Sequence, residues 1–482
     1  MYKRLALTSL LRHRVFPKQL FATLVAIWLT TVSTAAADTQ TTPVRLSISD
    51  ARKVAIHALR AGDFEIARQL SMGLLLADEH DPHAYSILLQ AHSQLGNPKL
   101  AKAAARLAYK HSKGKEASFA TARNAGALAF SQNRYNAAQY WLRRAANHEP
   151  DDRSAQQLAR EFKKIRTNNP LNLNISVSTS PSDNVNNGTG SATNLVNGIP
   201  QLGYINAASR ALSGIVATTD LQLKYRLGQN QNSRTELTTR LYVRNVFLSS
   251  EARALMASDP FSPQLENSDL RSTYVDFGIN HRFSLGKPNK VATLSSKLGK
   301  TWSGGNESYS FGQVGFSPTF KLSRQTRLKL GTTLEKRWSE FSSLNDLTRS
   351  QVSATLQYRV KNGDQFRLGI NLQDTASDKV NISNQSAVAN LSYSFGKPLA
   401  SVNLSTGVSI GYTHYDSFTT IRPVEGGRTD TSVYGDLTMV FSKMDFAGFV
   451  PSVQIRTGKK SSNISRFNSK ELSVSLGIQS KF

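Results

Sequence analysis

From residue 171 to the last residue, the sequence repeats one pattern, in which apolar residues alternate with polar ones over about ten or more residues. A strand with this period of two has one apolar face and one polar face. The pattern predicts strands at 171–179, 214–227, 235–247, 272–284, 291–302, 308–322, 327–339, 348–361, 365–376, 384–396, 400–413, 431–443, 447–457 and 469–482. Strands of this length can cross a bilayer at a tilt, so the sequence predicts an all-β transmembrane barrel of about 14 antiparallel strands.

The predicted connections between these strands alternate in length. Short turns such as "LGKPNK" and "KNGD" lie between some strands, whereas the others are joined by longer segments that contain 180–213, 248–271, 414–430 and 458–468. Short periplasmic turns and long outer loops are typical of outer-membrane barrels. We therefore expect an outer-membrane protein with both ends of the barrel in the periplasm. A soluble β-sandwich is the weaker alternative.

The final strand, "ELSVSLGIQSKF", keeps its apolar phase to the last residue. A closed barrel has no free edge, so this strand should pair with the first one. Leu476, Ile478 and Phe482 share the apolar phase, and a terminal strand of this kind resembles the signal by which outer-membrane proteins are recognised for assembly. The barrel assembly machinery is therefore an expected partner.

The first 37 residues predict a signal peptide. A basic segment precedes the apolar stretch "LFATLVAIWLTTV", and Ala35, Ala36 and Ala37 provide a small-residue cleavage site. The alternative is an uncleaved membrane anchor, although the apolar stretch is short for a spanning helix. The sequence contains no cysteine, which excludes disulfides, thiolate metal sites and lipid attachment to this chain.

Residues 38–168 predict a separate, alanine-rich helical domain in the periplasm. Gly62 and Gly96 are 34 residues apart, as are Ala67 and Ala101, and a 34-residue period with small residues at helix crossings resembles tetratricopeptide repeats. Small residues let paired helices approach closely, so that each pair buries its apolar face on the next. A generic helical bundle is the alternative. The repeats would form a short surface suited to an extended peptide or to a neighbouring protein.

The formal net charge of +26 indicates anionic partners. An exported chain rarely meets nucleic acid, so we exclude nucleic acid as a partner. Outer-membrane lipids, the phosphates of lipopolysaccharide, acidic glycans and an acidic client polypeptide are better candidates.

Catalytic residues, cofactor sites and metal sites are not predicted, and we expect no enzyme. Nucleophilic hydrolysis needs a base beside a hydroxyl, yet the barrel region has only His281 and His414. Both follow the apolar phase of their strands, which predicts positions on the lipid-facing side. The glycine-rich segment "EGGR" (425–428) lies in a predicted outer loop and lacks the strand–loop–helix context of a phosphate site. A surface phospholipase or deacylase is the weak alternative.

The segment after the first strand carries a resemblance. The block "LNISVSTSPSDNVNNGT" (173–189) resembles the start of the barrel in the surface lipoprotein assembly modulators, the Slam family, where an Asn-rich segment follows the first barrel strand. Asp183, Asn184, Val185 and Asn186 match it, Asn187 continues it, and the architecture agrees over about 38–482. We therefore regard Asp183, Asn184, Asn186 and Asn187 as a candidate functional segment. A purely structural role in shaping the first loop is the alternative, because Asn and Asp stabilise turns.

The resemblance implies an outer-membrane translocator that helps surface lipoproteins or secreted proteins cross the outer membrane. Its client would be recruited by the periplasmic repeat domain, and a periplasmic chaperone is a possible further partner. Two rival functions stay open at this stage. An exporter of an anionic polysaccharide would also join helical repeats to a barrel, and a porin-like barrel would need no client.

Overall fold

A computed structural model of the chain describes residues 46–286, 289–444 and 449–480. The predicted signal peptide and Phe482 lie outside the described residues. The described chain begins with seven consecutive helices, in the order α1 (Ile48–Ala61), α2 (Phe64–Ala77), α3 (Pro82–Gln94), α4 (Pro98–His111), α5 (Lys115–Ser131), α6 (Tyr135–Ala146) and α7 (Asp152–Asn168).

The seven helices pack through alanine. Each helix contacts the next, and α3 also contacts both α1 and α5. The residues at the crossings are almost fully buried and small, and they include Ala55, Ala67, Ala84, Ala101, Ala122 and Ala138. Larger side chains, among them Trp141, Phe119, Phe162 and several Leu and Ile residues, add bulk to the two helical cores. Small side chains let the helix axes approach closely, and this close packing explains the alanine-rich composition.

The strands follow directly after α7. They are β1 (Leu171–Ser182), β2 (Thr193–Val196), β3 (Ile199–Tyr204), β4 (Gly214–Gln229), β5 (Ser233–Leu248), β6 (Ser272–Ser284), β7 (Lys290–Ser303), β8 (Asn306–Lys321), β9 (Thr326–Ser339), β10 (Leu347–Arg359), β11 (Gln365–Ser377), β12 (Asn384–Ser394), β13 (Asn403–Tyr415), β14 (Arg428–Val440), β15 (Phe449–Ser462) and β16 (Ser469–Ser480). One further helix, α8 (Ser250–Ala257), follows β5.

Fourteen of these strands form a closed antiparallel barrel, which confirms the predicted fold class. β1 pairs with β4 along its whole length and closes the barrel by pairing with β16, for example at Val177 opposite Ile478. β2 and β3 form a separate two-stranded hairpin. The chain enters β1 from α7, so the helices lie at the same end of the barrel as the short turns, on the periplasmic side.

The outer surface of the barrel is apolar. Large side chains on the outward phase remain exposed, and Phe277 (67%), Leu298 (66%) and Leu476 (53%) are examples. An apolar surface of this extent is stable only when hydrocarbon covers it, as in a lipid bilayer. Among the described helices, none is long and apolar enough to cross a membrane.

The strand boundaries differ from the predicted ones by a few residues at both ends of the barrel, and the largest difference is at the outer end of β15. β15 continues to Ser462, beyond its predicted end at residue 457, because Gly458, Lys459 and Lys460 stay paired with β16 although they are not apolar. The predicted first loop, 180–213, also contains the β2–β3 hairpin, which the alternation did not indicate. Backbone pairing continues outside the lipid, where the alternating pattern no longer applies.

The helical region is joined to the barrel at β1 and β4. Arg226 of β4 donates to the backbone oxygens of Thr167 (2.8 Å) and Asn168 (2.6 Å) at the end of α7. The side chain of Asn169 donates to that of Asn136 on α6 at 2.8 Å. These bonds fix the angle at which the last helices meet the rim of the barrel.

Candidate functional site

The Asn-rich segment lies at the outer end of β1, where the chain leaves the barrel wall. Asn184 and Val185 are buried, Asn186 is half-buried, and Asp183 and Asn187 are exposed. Asn187 has a φ of 53°, a left-handed conformation that asparagine tolerates better than most residues. The structure therefore brings these residues into one turn, but with different environments.

Asn184 closes this turn with its side chain. Its amide nitrogen donates to the backbone oxygen of Gly188 at 2.8 Å, and its oxygen accepts from the backbone N–H of Gly188 at 2.8 Å. Gly188 has no room for a side chain, because a Cβ atom would lie 2.2 Å from the backbone oxygen of Arg210. The turn is thus clamped tightly against the returning chain at residue 210.

Asn186 makes four hydrogen bonds, three of them across the loop. Its amide nitrogen donates to the backbone oxygens of Ala208 (2.9 Å) and Arg210 (2.7 Å). Its oxygen accepts from the backbone N–H groups of Leu212 (3.0 Å) and Gly188 (3.3 Å). Asn186 therefore joins the two ends of the segment 183–213 to each other.

The segment turns toward the barrel interior. Val185 is 1% exposed in an apolar cluster that also contains Leu212, Val246 and Met256. Arg244, on the inward phase of β5, donates to the backbone oxygen of Val185 at 2.6 Å. Inward-facing side chains of the barrel wall thus form the seat on which the loop rests.

Two neighbouring loops complete this structure. On one side, Asp259 accepts from the hydroxyl of Tyr204 (2.7 Å) and from the backbone N–H of Ala207 (2.8 Å). On the other side, Thr189 donates to the backbone oxygen of Ser465 at 2.9 Å. We call residues 183–213, 250–271 and 463–468 the outer cap. Together they lie over the outer ends of six neighbouring strands, which are β14, β15, β16, β1, β4 and β5 in order around the barrel.

The Tyr204–Asp259 bond affects both groups. Desolvation and the hydrogen bond to Asp259 raise the pKa of Tyr204 to about 12. The bonds from Tyr204 and from the N–H of Ala207 lower the pKa of Asp259. Asp259 is therefore an anion at physiological pH and a stable acceptor for the cap.

A second charged cluster anchors the cap at β14. Arg428 and Asp430 are both 7% exposed, and the Arg428 Nε donates to Asp430 at 2.9 Å. The Arg428 guanidinium also lies 3.3 Å from the ring centroid of Phe467, within cation–π range. The sequence interpretation treated "EGGR" as a flexible loop and missed this arginine. Its position on the inward phase of a strand, next to an acid two residues later, is the signal that could have indicated it.

The inner wall carries a belt of ion pairs at mid-height. Arg240 donates to both oxygens of Asp220, at 2.9 and 2.8 Å, and Lys297 lies 3.5 Å from Asp276. Glu335 accepts from Arg337 at 2.6 Å. The cations in this belt are therefore neutralised by adjacent acids. None of these residues was predicted from the sequence. The alternation shows only that a position is polar and faces inward, so it does not distinguish a paired charge from a neutral serine or asparagine.

The residues predicted for assembly lie elsewhere. Leu476 and Ile478 face outward on β16 and are 53% and 56% exposed. The candidate segment instead meets the start of β16, where Asn184 lies 3.4 Å from the backbone oxygen of Lys470. The structure thus does not bring the two predicted groups together, and the assembly role of Leu476, Ile478 and Phe482 stays a prediction.

The two histidines of the barrel region lie away from the lumen. His281 and His414 lie on the outward phase, as predicted, and each contacts a threonine hydroxyl on the neighbouring strand. Within residues 46–286, 289–444 and 449–480, no group of three or more His, Asp or Glu side chains could hold a metal ion. The geometry instead provides a polar lumen, a hydrogen-bonded cap and a helical domain.

The helical domain contains a groove between α4 and α6. It encloses a cavity of about 550 Å³ over a floor of alanines from α4 and α5. Its rim carries Lys102, Arg106, Arg134 and Arg144, and its described lining contains no Asp or Glu. Arg144 lies 4.2 Å from the ring centroid of Tyr109 and donates to the hydroxyl of Tyr140 at 3.0 Å, so its side chain is held in place.

A closed barrel with an apolar outer face and a polar inner face defines an integral outer-membrane β-barrel protein. Within this class, residues 266–482 match the family model described as surface lipoprotein assembly modifier. This match confirms the resemblance noted in the sequence, over strands β6 to β16. A search of curated proteins finds no match.

Several solved structures are similar to parts of the chain at low sequence identity. A structure described as a bacterial polysaccharide outer membrane secretin is 9% identical, with a TM-score of 0.33, and the match covers 64% of this chain and 98% of that one. The outer membrane channel DcaP of Acinetobacter baumannii is 10% identical, with a TM-score of 0.36, and covers 65% and 97%. The Yersinia enterocolitica chaperone SycD is 15% identical, with a TM-score of 0.23, and covers 26% and 88%.

Proposed function

We propose that this chain is an outer-membrane translocator, which helps a surface lipoprotein or a secreted protein cross the outer membrane. The observation that carries the proposal is the match of residues 266–482 to a family described as surface lipoprotein assembly modifiers. The fold is compatible with this role, because a fourteen-strand barrel is wider than the eight-strand kind that side chains fill.

The proposed path runs through the polar lumen and past the outer cap. In this proposal, the cap closes the outer end of the path at rest and moves aside when a client passes. Its connections are hydrogen bonds, two small apolar clusters and the contact of Phe467 with Arg428, so it can be released without breaking the barrel. The driving force would come from folding of the client outside the cell or from a periplasmic chaperone.

We further propose that the helical domain recruits the client. The groove between α4 and α6 supports this part, since it combines an apolar floor with a basic and aromatic rim. An extended segment with small apolar and acidic side chains is complementary to such a groove. The bonds from Arg226 to the end of α7 hold this domain at the entrance of the barrel.

A deletion strain tests the main proposal. Its surface is treated with protease, and the exposed, released and periplasmic proteins are compared with those of the wild type by mass spectrometry. We expect one or a few proteins to disappear from the surface and to accumulate in the periplasm. Loss of surface glycan with unchanged surface proteins would favour a polysaccharide exporter, and no change in either would favour a porin-like barrel.

A charge-reversal pair tests recruitment. The variant Lys102→Glu with Arg106→Glu changes the rim of the groove, whereas Lys99→Glu with Lys113→Glu changes two exposed lysines that do not line it. We expect the first pair to trap the client in the periplasm and the second to leave export unchanged. Equal export in both strains, at equal barrel levels, would contradict recruitment through this groove.

A further inference from the structure

The periplasmic entrance of the lumen is basic on one side. Inward-facing cations lie near the periplasmic ends of six strands, and all of them are exposed. We call this set the basic arc. Its members are Lys224 on β4, Arg282 on β6, Lys321 on β8, Arg327 and Lys329 on β9, Arg359 on β10 and Arg367 on β11.

Strand register places these side chains inside the barrel. Lys329 lies between Leu328 and Leu330, and Arg367 lies between Phe366 and Leu368, all on strands whose apolar residues face the lipid. Because successive side chains on a strand point to opposite faces, the cations point to the lumen. The same alternation applies to the other five members.

No described acid neutralises the basic arc. None of its seven side chains makes a hydrogen bond or ion pair with another described residue, in contrast to the paired cations of the mid-height belt. The acid nearest in sequence, Asp364, accepts instead from the backbone N–H of Gly396 at 2.8 Å and from Tyr393. Unpaired like charges repel one another, so the basic arc does not stabilise the fold.

The opposite side of the entrance carries no unpaired cation among its described inward residues. The inward positions nearest the periplasmic ends of β12 to β16 and of β1 carry small or polar neutral side chains, namely Asn172, Asn174, Ser392, Ser394, Asn403, Ser405, Thr438, Val440, Ser452, Gln454 and Gln479. Farther along these strands, the first charged inward residues are Asp436 on β14 and Arg456 on β15, and Arg456 lies 3.5 Å from Glu471. The electric field at the entrance is therefore directed from one wall, and a cavity with low-dielectric walls focuses such a field.

The dimensions of the basic arc suit an extended chain. It spans the eight neighbouring strands from β4 to β11, which at about 4.8 Å per strand is roughly 35 Å of wall. An extended polypeptide of about ten residues has this length. The arc begins on β4, the strand whose Arg226 holds the end of α7, so a chain leaving the helical domain would meet it first.

We propose that the basic arc is a docking track for an extended, acidic segment of the client polypeptide. The segment lies along the wall from β4 to β11, with its carboxylates at the seven cations, and the neutral wall opposite leaves it free to slide. This inference rests on the proposed function, since the occupant is the client. It assigns that client a chemical class, which is an acidic and unfolded stretch of about ten residues.

The test measures binding of a defined probe to the full-length protein in detergent micelles. The probe is a fluorescein-labelled twelve-residue peptide of Glu, Ser and Gly, and a peptide with Lys in place of Glu is the comparison. The variant changes four members of the arc, by Arg327→Gln, Lys329→Gln, Arg359→Gln and Arg367→Gln. The charge-matched control changes four exposed cations of the helical region, by Lys99→Gln, Lys113→Gln, Arg153→Gln and Arg160→Gln.

We expect the acidic peptide to bind the wild type with a strong dependence on salt, and the basic peptide not to bind. The arc variant should lose about tenfold or more in affinity, because four screened charge contacts are removed, whereas the control should stay within about twofold. Both variants should keep the β-sheet signal in far-ultraviolet circular dichroism, since every substituted side chain is exposed.

Three results would overturn the inference. The first is equal affinity of the arc variant and the wild type. The second is an equal loss in the charge-matched control. The third is tighter binding of an oligogalacturonate than of the acidic peptide, which would assign the arc to a glycan. If the deletion strain loses surface proteins but the acidic peptide does not bind the basic arc, only the role of the arc is refuted. If the peptide binds but the deletion strain exports all its proteins normally, the proposed function is refuted.

Discussion

Asn186 should determine how long the outer cap stays closed. Replacement by alanine removes four hydrogen bonds, of which three join residue 186 to residues 208, 210 and 212 and one joins it to the backbone N–H of Gly188. At about 0.75 kcal/mol net for each bond, the loss is about 3 kcal/mol of local stability. A change of this size raises the population of the released segment by about hundredfold.

Hydrogen exchange followed by mass spectrometry measures this release. The backbone N–H of Val185 donates to Leu212 and that of Ala211 donates to Thr189, both at 2.8 Å, and neither bond involves Asn186. These two amides therefore report the opening of the segment and not the direct loss of an acceptor. In Asn186→Ala we expect them to exchange about hundredfold faster, while amides of the barrel strands keep their wild-type rates.

Asn187→Gly is the matched control. Asn187 is adjacent, exposed and without a side-chain hydrogen bond in the described structure, and glycine keeps its left-handed backbone. We expect this variant to exchange at nearly the wild-type rate. An exchange rate in Asn186→Ala within about threefold of the wild type would refute the account of the cap, as would an equal acceleration in Asn187→Gly.

Three further predictions concern other charged contacts. Asp81→Asn should lower the free energy of unfolding of the helical domain by about 2 kcal/mol, since Asp81 is buried, accepts from the N–H of His83 and pairs with Arg52 at 2.8 Å. Thermal unfolding followed by the helical far-ultraviolet signal measures this loss, and an unchanged midpoint would contradict the prediction. Burial raises the pKa of Asp81, but the bonds from Arg52 and the His83 N–H outweigh burial and lower it. The stability that Asp81 contributes is therefore full above about pH 3.9 and is lost as the pH falls through the lower folded-state pKa. The unfolding free energies of the wild type and of Asp81→Asn should thus converge in acid. Arg428→Ala should leave Asp430 buried without its partner and should release the loop at 463–468. External protease added to whole cells should then cleave this loop, and blotting detects the fragments. An uncleaved loop would disprove the prediction.

The sequence by itself determined the barrel and the helical region before it. Alternation with a period of two identifies a strand whose two faces meet different solvents. Lipid on one face requires apolar side chains at every outward position, so the pattern is strong and regular. This is why the fourteen strands of the barrel were predicted with only small errors at their ends, whereas the β2–β3 hairpin outside the barrel was not predicted. The alanine spacing at 67 and 101 likewise marked the helix crossings, where both residues are fully or almost fully buried.

Only the tertiary structure decided what the inward-facing residues do. Lys297 and Lys329 occupy the same polar phase, yet Lys297 is paired with Asp276 whereas Lys329 has no partner among the described residues. The pairing depends on which strands become neighbours and at which height, and a single strand contains neither piece of information. The same reason explains the cap, because Asn184 and Asn186 have turn-forming side chains in the sequence, but their hydrogen-bond partners come from the returning chain near residues 208–212 and from β16.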